Sequence, residues 1–137
     1  MSPPLRFLAL VAATALAALA AATTAADSAS SAPMHLTIDI SAARGAEVAL
    51  PSNLAIRAGG TVTLTFRNHT NLFHTFTIRA LGISTLIRPA NGHVPRVTSV
   101  TFVAPYGVYA WTCVLCASGA HAHMHAMRGK VYAIINT

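Results

Sequence analysis

A hydrophobic period of two constrains this chain more than any other feature. Residues 35–40 (His-Leu-Thr-Ile-Asp-Ile) alternate strictly, which places Leu36, Ile38 and Ile40 on one face of an extended segment. Residues 61–66 repeat the pattern, with Val62, Leu64 and Phe66 inward. A helix would need apolar residues three and four apart, so these segments can bury one face only as strands. Shorter runs follow at 73–78, 99–103, 108–112 and 130–135. Ala58-Gly59-Gly60 and Ala104-Pro105-Tyr106-Gly107 read as turns, and Pro51, Pro89, Pro95 and Pro105 argue against long helices. Six to eight short strands at a spacing of roughly 8–12 residues predict an all-β domain, an antiparallel sandwich or barrel.

The amino terminus follows other rules. Arg6 precedes an alanine-rich apolar run over residues 7–22, and the small residues Thr24-Ala25-Ala26 fit a cleavage site. Residues 1–26 are therefore expected to be a secretory signal peptide, residues 27–34 a polar linker and residues 35–137 the folded domain. That run also accounts for much of the mean hydropathy of +0.56. No later stretch reaches the roughly 18 apolar residues of a membrane span, which excludes an integral membrane bundle and leaves no span in the mature chain. Without Arg6, eight basic residues face three acids, a net charge of +5. The basic residues are scattered singly and all but Lys130 are arginine, a pattern that does not favour nucleic acid as a partner. With so few acids and no Gly-x-Ser-x-Gly, an enzyme is not expected.

The chemistry concentrates in one segment. Cys113 and Cys116 are followed by His121, His123, Met124, His125 and Met127. Thiolate and thioether favour Cu(I), while imidazole serves both copper oxidation states, so this mixture points to copper. Zinc shares Cys/His ligation and stands second. Cys-x-x-Cys can also form a local disulfide, but that alone leaves the histidines and methionines unexplained. A thioredoxin-like redox pair would need a βαβ setting that this chain lacks. His74, at the start of an apolar run, offers an imidazole from elsewhere in the fold; His69 lies in a polar turn, and His35 and His93 carry no motif.

On these residues the chain resembles a cupredoxin over roughly residues 51–135. Residues 51–66 are similar to the family's strand, glycine turn and strand, and Asn68 with His74-Thr75-Phe76 resembles the segment that carries its first ligand. Gly107-Val108-Tyr109-Ala110-Trp111-Thr112-Cys113 matches the strand that ends in the copper-binding cysteine, and Met127-Arg128-Gly129-Lys130-Val131 resembles the segment supplying the axial thioether. The resemblance implies a Greek-key β-sandwich of about seven to eight strands, with copper held by His74, Cys113, a loop histidine and Met127. The spacing of azurin-like loops selects His123. A second cysteine resembles the binuclear copper loop of cytochrome oxidase subunit two, whose His-to-Met spacing fits His121 and Met124, although that loop has three residues between its cysteines and this one has two. One type 1-like copper or a binuclear centre both remain open, and Cys116 is a ligand or the disulfide partner of Cys113 accordingly. The implied function is transfer of single electrons between redox partners in the periplasm or outside the cell, the partner being acidic at its docking surface. Thr75, beside His74, could hydrogen-bond across to the ligand loop. Two readings compete: a copper carrier or storage protein that uses the His/Met-rich loop, and a metal-free β-sandwich with a Cys113–Cys116 disulfide that serves as an adhesion or assembly module.

Overall fold

Alternating segments become strands, and the strands close into two facing sheets. The computed structural model describes residues 32–43, 46–117 and 127–135. Within them lie β1 (Met34–Ala43), β2 (Ala46–Leu50), β3 (Asn53–Arg57), β4 (Thr61–Asn68), β5 (His74–Ile78), β6 (Ile83–Ile87), β7 (Arg96–Val103), β8 (Gly107–Thr112) and β9 (Arg128–Ile134). Two short 3₁₀ turns, Arg79–Leu81 and Leu115–Ala117, complete the described elements. The expected signal peptide lies outside the described residues, as do His121, His123, Met124 and His125. No helix among the described residues is long and apolar enough to cross a membrane.

One sheet has the order β2-β1-β4-β7 and the other β3-β9-β8-β5-β6. Their inner faces share a single core: Ile38, Ile40, Val62, Leu64, Phe66 and Phe102 from the first meet Leu54, Ile56, Phe76, Ile78, Trp111 and Val131 from the second. Phe76 anchors its centre, with ring centroids 5.0 Å from Phe66 and 5.3 Å from Trp111. The alternation read from β1 and β4 is therefore the core-facing pattern.

Two points depart from the sequence reading. The sheets are mixed rather than antiparallel, because β1 pairs parallel with β4 and β3 parallel with β9. The chain leaves β1–β2 for the other sheet, forms β3 there and returns to lie beside β1, so the returning strand runs the same way. Nine strands are present among the described residues, against the seven to eight expected. The strands without a readable pattern are β2, whose inward residues are Glu47 and Ala49, and the edge strand β6, whose Leu86 points to solvent.

Register brings three segments to one end of the second sheet. Pairing of Thr77 with Thr112 runs antiparallel, which carries the start of β5 toward the chain just beyond β8. Thr112 opposes Arg128, so the next residues, Cys113 and Met127, are neighbours as well.

Candidate metal centre

His74 opens β5 and is fully buried. A buried imidazole needs partners for both ring nitrogens, and one side is settled by a closed chain of hydrogen bonds. The amide nitrogen of Asn68 donates to the carbonyls of Leu72 and Arg88, each at 2.9 Å. Its oxygen accepts the Thr70 backbone N–H at 2.9 Å and the Thr70 hydroxyl at 2.8 Å. With its proton committed there, Thr70 Oγ1 can only accept from His74 Nε2, 2.8 Å away. Nε2 is thus assigned a proton, while Nδ1 lies 3.5 Å from Glu47 Oε2, an ion pair when the ring is protonated, and carries a lone pair only when the ring is neutral. This is the arrangement by which an outer hydrogen bond selects the tautomer and aims a histidine at a metal.

Nδ1 faces sulfur. It lies 3.4 Å from Cys116 Sγ and 4.0 Å from Cys113 Sγ. The three donor atoms fall within 4.8 Å of one another, and all three residues are buried. Cys113 follows β8 directly, while Cys116 sits in the 3₁₀ turn Leu115–Ala117, which folds the second sulfur back toward the first. The two cysteines are joined as a disulfide.

Thr75 spans the two segments. Its backbone N–H points at Cys113 Sγ at 3.4 Å, its hydroxyl lies 3.9 Å from the same sulfur, and Val114 N–H donates to Thr75 Oγ1 at 2.7 Å. The contact anticipated for Thr75 is therefore present. Donors aimed at sulfur stabilise negative charge on it, which a thiolate needs. Met127 is buried, and its carbonyl accepts the Cys113 N–H at 2.8 Å, closing the base of the loop between them. Gly129 follows on β9, where an added Cβ would collide with the Ser52 carbonyl that accepts the Trp111 Nε1–H at 2.8 Å.

The structure brings together His74, Cys113 and Cys116, with Met127 at the loop's base; His121 and His123 lie outside the described residues. His69 is exposed and its Nε2 lies 3.1 Å from Asp39 Oδ1. Sequence reasoning missed Thr70 and Glu47. Glu47, on β2, has its side chain 5 % exposed and places Oε2 3.5 Å from His74 Nδ1. Its signal was an acid inside a strand of a chain with only three acids.

The two-sheet architecture, with a His and a Cys from separate strands meeting at one end, defines the class: the chain has the cupredoxin fold. Among solved structures it is similar to the copper protein rusticyanin (TM-score 0.56, 20 % identity, covering 74 % of this chain and 78 % of that one). It is also similar to auracyanin from Roseiflexus castenholzii (TM-score 0.54, 18 % identity, covering 74 % of this chain and 97 % of that one). Against the copper-containing nitrite reductase of Thermus scotoductus SA-01 the TM-score is 0.52 at 22 % identity, over 77 % of this chain but only 28 % of that enzyme. No protein-family model matches the chain, and no curated protein matches it.

Proposed function

We propose that this is an exported copper protein that carries single electrons between redox partners. The observation that carries the reading is the convergence of His74 Nδ1 on the sulfurs of Cys113 and Cys116 at a buried point. Soft sulfur with imidazole is a copper donor set. The fit extends to distance. Metal–nitrogen and metal–sulfur bonds of roughly 2.0 and 2.3 Å, set at a tetrahedral angle, span about 3.5 Å between donors. The 3.4 Å from Nδ1 to Cys116 Sγ is close to that edge and the 4.0 Å to Cys113 Sγ is wider, both with the sulfurs bonded to each other, so that reduction must separate them before either can serve as a thiolate donor. A disulfide is not a thiolate, so these residues could hold copper only once a two-electron reductant such as an external dithiol has converted the Cys113–Cys116 bond to two thiols, being itself oxidised to a disulfide.

His74, Cys113, a loop histidine (His123 or His121) and Met127 would hold one copper, with Cys116 joining if the centre is binuclear. When bound, copper supplies a one-electron couple. The protein's part is to keep the donors from rearranging: Asn68 and Thr70 fix the His74 ring, Thr75 fixes the Cys113 sulfur, and the Met127 carbonyl ties down the loop. Similarity to the copper proteins rusticyanin and auracyanin supports the same reading. The chain spans less than a third of the nitrite reductase it matches. Export rests on the amino-terminal 26 residues.

A copper carrier built on the His/Met loop would bind an accessible, exchangeable ion, whereas His74 and both cysteines are buried. Colour separates the two. Reduced protein loaded with Cu(I) under argon and oxidised by one electron is expected to show an intense thiolate-to-copper band, lost in Cys113→Ser. A colourless product, with copper binding unchanged in Cys113→Ser, would refute electron transfer. Paramagnetic resonance of the same sample counts the coppers, because one copper and a mixed-valence pair give different hyperfine patterns.

A further inference from the structure

Glu47 has no place in the ligand set above, yet it stands within reach of the metal-facing nitrogen. Only three acids occur in the chain, and this one is turned inward from β2. Its side chain is 5 % exposed, against 48 % for Asp39, which meets Arg67 and His69 at the surface. A buried carboxylate is costly unless it is paired or coordinates a metal, and in the copper-free protein Glu47 is paired with the His74 ring. Oε2 lies 3.5 Å from His74 Nδ1. That separation is about the edge spanned by two donors at roughly 2.1 Å from a tetrahedral ion. Glu47 and Met127 also line the same surface pocket, together with Trp111 and Arg128. Glu47 thus stands 3.5 Å from His74 and shares a pocket wall with Met127.

We propose that the Glu47 carboxylate is a ligand of this centre, an oxygen donor beside His74 and Cys113; the proposal rests on the metal reading above. The consequence follows from charge. One thiolate and one carboxylate neutralise Cu(II) but leave a net negative charge around Cu(I), and burial magnifies the difference. A hard oxygen donor acts in the same direction, since soft sulfur is what favours Cu(I). The centre therefore holds Cu(II) more firmly, and runs at a lower potential, than a His/Cys/Met set in the same fold.

The test uses the full-length protein, loaded as above, in native, Glu47→Gln and Glu47→Asp forms. Glu47→Gln is expected to keep a thiolate-to-copper band but to move it to longer wavelength. Its preference for Cu(II) over Cu(I) should fall at least tenfold, a rise in potential of 59 mV or more. X-ray absorption should show one fewer short oxygen neighbour. Glu47→Asp keeps the charge, so it remains informative if Glu47→Gln fails to fold; by withdrawing the oxygen one methylene it should shift the band in the same direction. Melting of the copper-free proteins separates a packing role from ligation. If band, potential and oxygen count are native in a variant that binds copper, Glu47 is not a ligand and the copper reading stands. If native protein itself gives no thiolate-to-copper band, both readings fall.

Discussion

The hydroxyl of Thr70 is a small group on which the orientation of His74 depends. It donates to Asn68 Oδ1 and accepts from Leu72 N–H at 3.3 Å and from His74 Nε2 at 2.8 Å, so its capacity is filled. Thr70→Val keeps the shape and removes all three bonds. The ring N–H is then buried without a partner, at a cost of about 1–3 kcal/mol in denaturant unfolding of the copper-free protein. Freed from its restraint, the ring should also lose about 10–100-fold in copper affinity, measured by competition with a chelator. Thr70→Ser should restore both, and a Val variant with native affinity would show that Thr70 does not set the ring. At this scale the sequence was legible where residue types are scarce: two cysteines among clustered histidines and methionines stand out. Thr70 and Glu47 did not stand out. A threonine in a polar turn and a glutamate beside a break in the pattern look ordinary until folding buries them.

Between elements, the tightest approach lies where β9 passes β8 and the chain before β3. Gly129 opposes Trp111 in that pairing, and the Trp111 ring occupies the space above it to reach the Ser52 carbonyl. A methyl group there meets backbone, which cannot swing aside as a side chain could. Gly129→Ala is expected to destabilise the protein by about 3 kcal/mol, the upper part of the usual overpacking range. The chain's single tryptophan reports on the site directly: its emission should shift as the Nε1–H loses the carbonyl. Native stability and an unchanged spectrum would show that the strands can part without cost. The glycine was visible as part of a resemblance, but the reason for it was not, because a close approach between distant strands leaves no local trace. The same holds for topology. Period-two patterns in β1 and β4 identify strands and inward faces, whereas the parallel pairing of those strands depends on where β2 and β3 go in between. In β2 the inward positions are filled by Glu47 and Ala49, so the element that supplies the proposed oxygen donor was also one of the two that periodicity could not reveal.

Over the whole molecule, charge should decide which partners meet the site quickly. Two arginines flank it: exposed Arg88 follows Ile87, which pairs with His74, and exposed Arg128 follows Met127. Glu47, the acid beside the centre, is buried, and Asp39 is engaged with Arg67 and His69 elsewhere on the surface. Both arginines add positive charge at this end, and the formal net charge of the whole sequence is +6. On the proposed function, electrons would enter and leave through short-lived encounters, so their rate would follow the local concentration of the other reactant. An anionic inorganic oxidant should therefore react fast at low salt. The rate constant should fall about tenfold between roughly 0.01 and 1 M ionic strength, as the screening length shrinks from about 30 to 3 Å. A cationic oxidant should show the opposite slope, and Arg88→Glu with Arg128→Glu should flatten both. Stopped-flow decay or growth of the thiolate-to-copper band measures all three, with a driving force matched between oxidants. The comparison of signs carries the argument, because general effects of salt on the protein act alike on both reagents. Equal slopes for anion and cation would mean that the arginines do not steer encounter, and an acidic docking partner would lose its electrostatic basis.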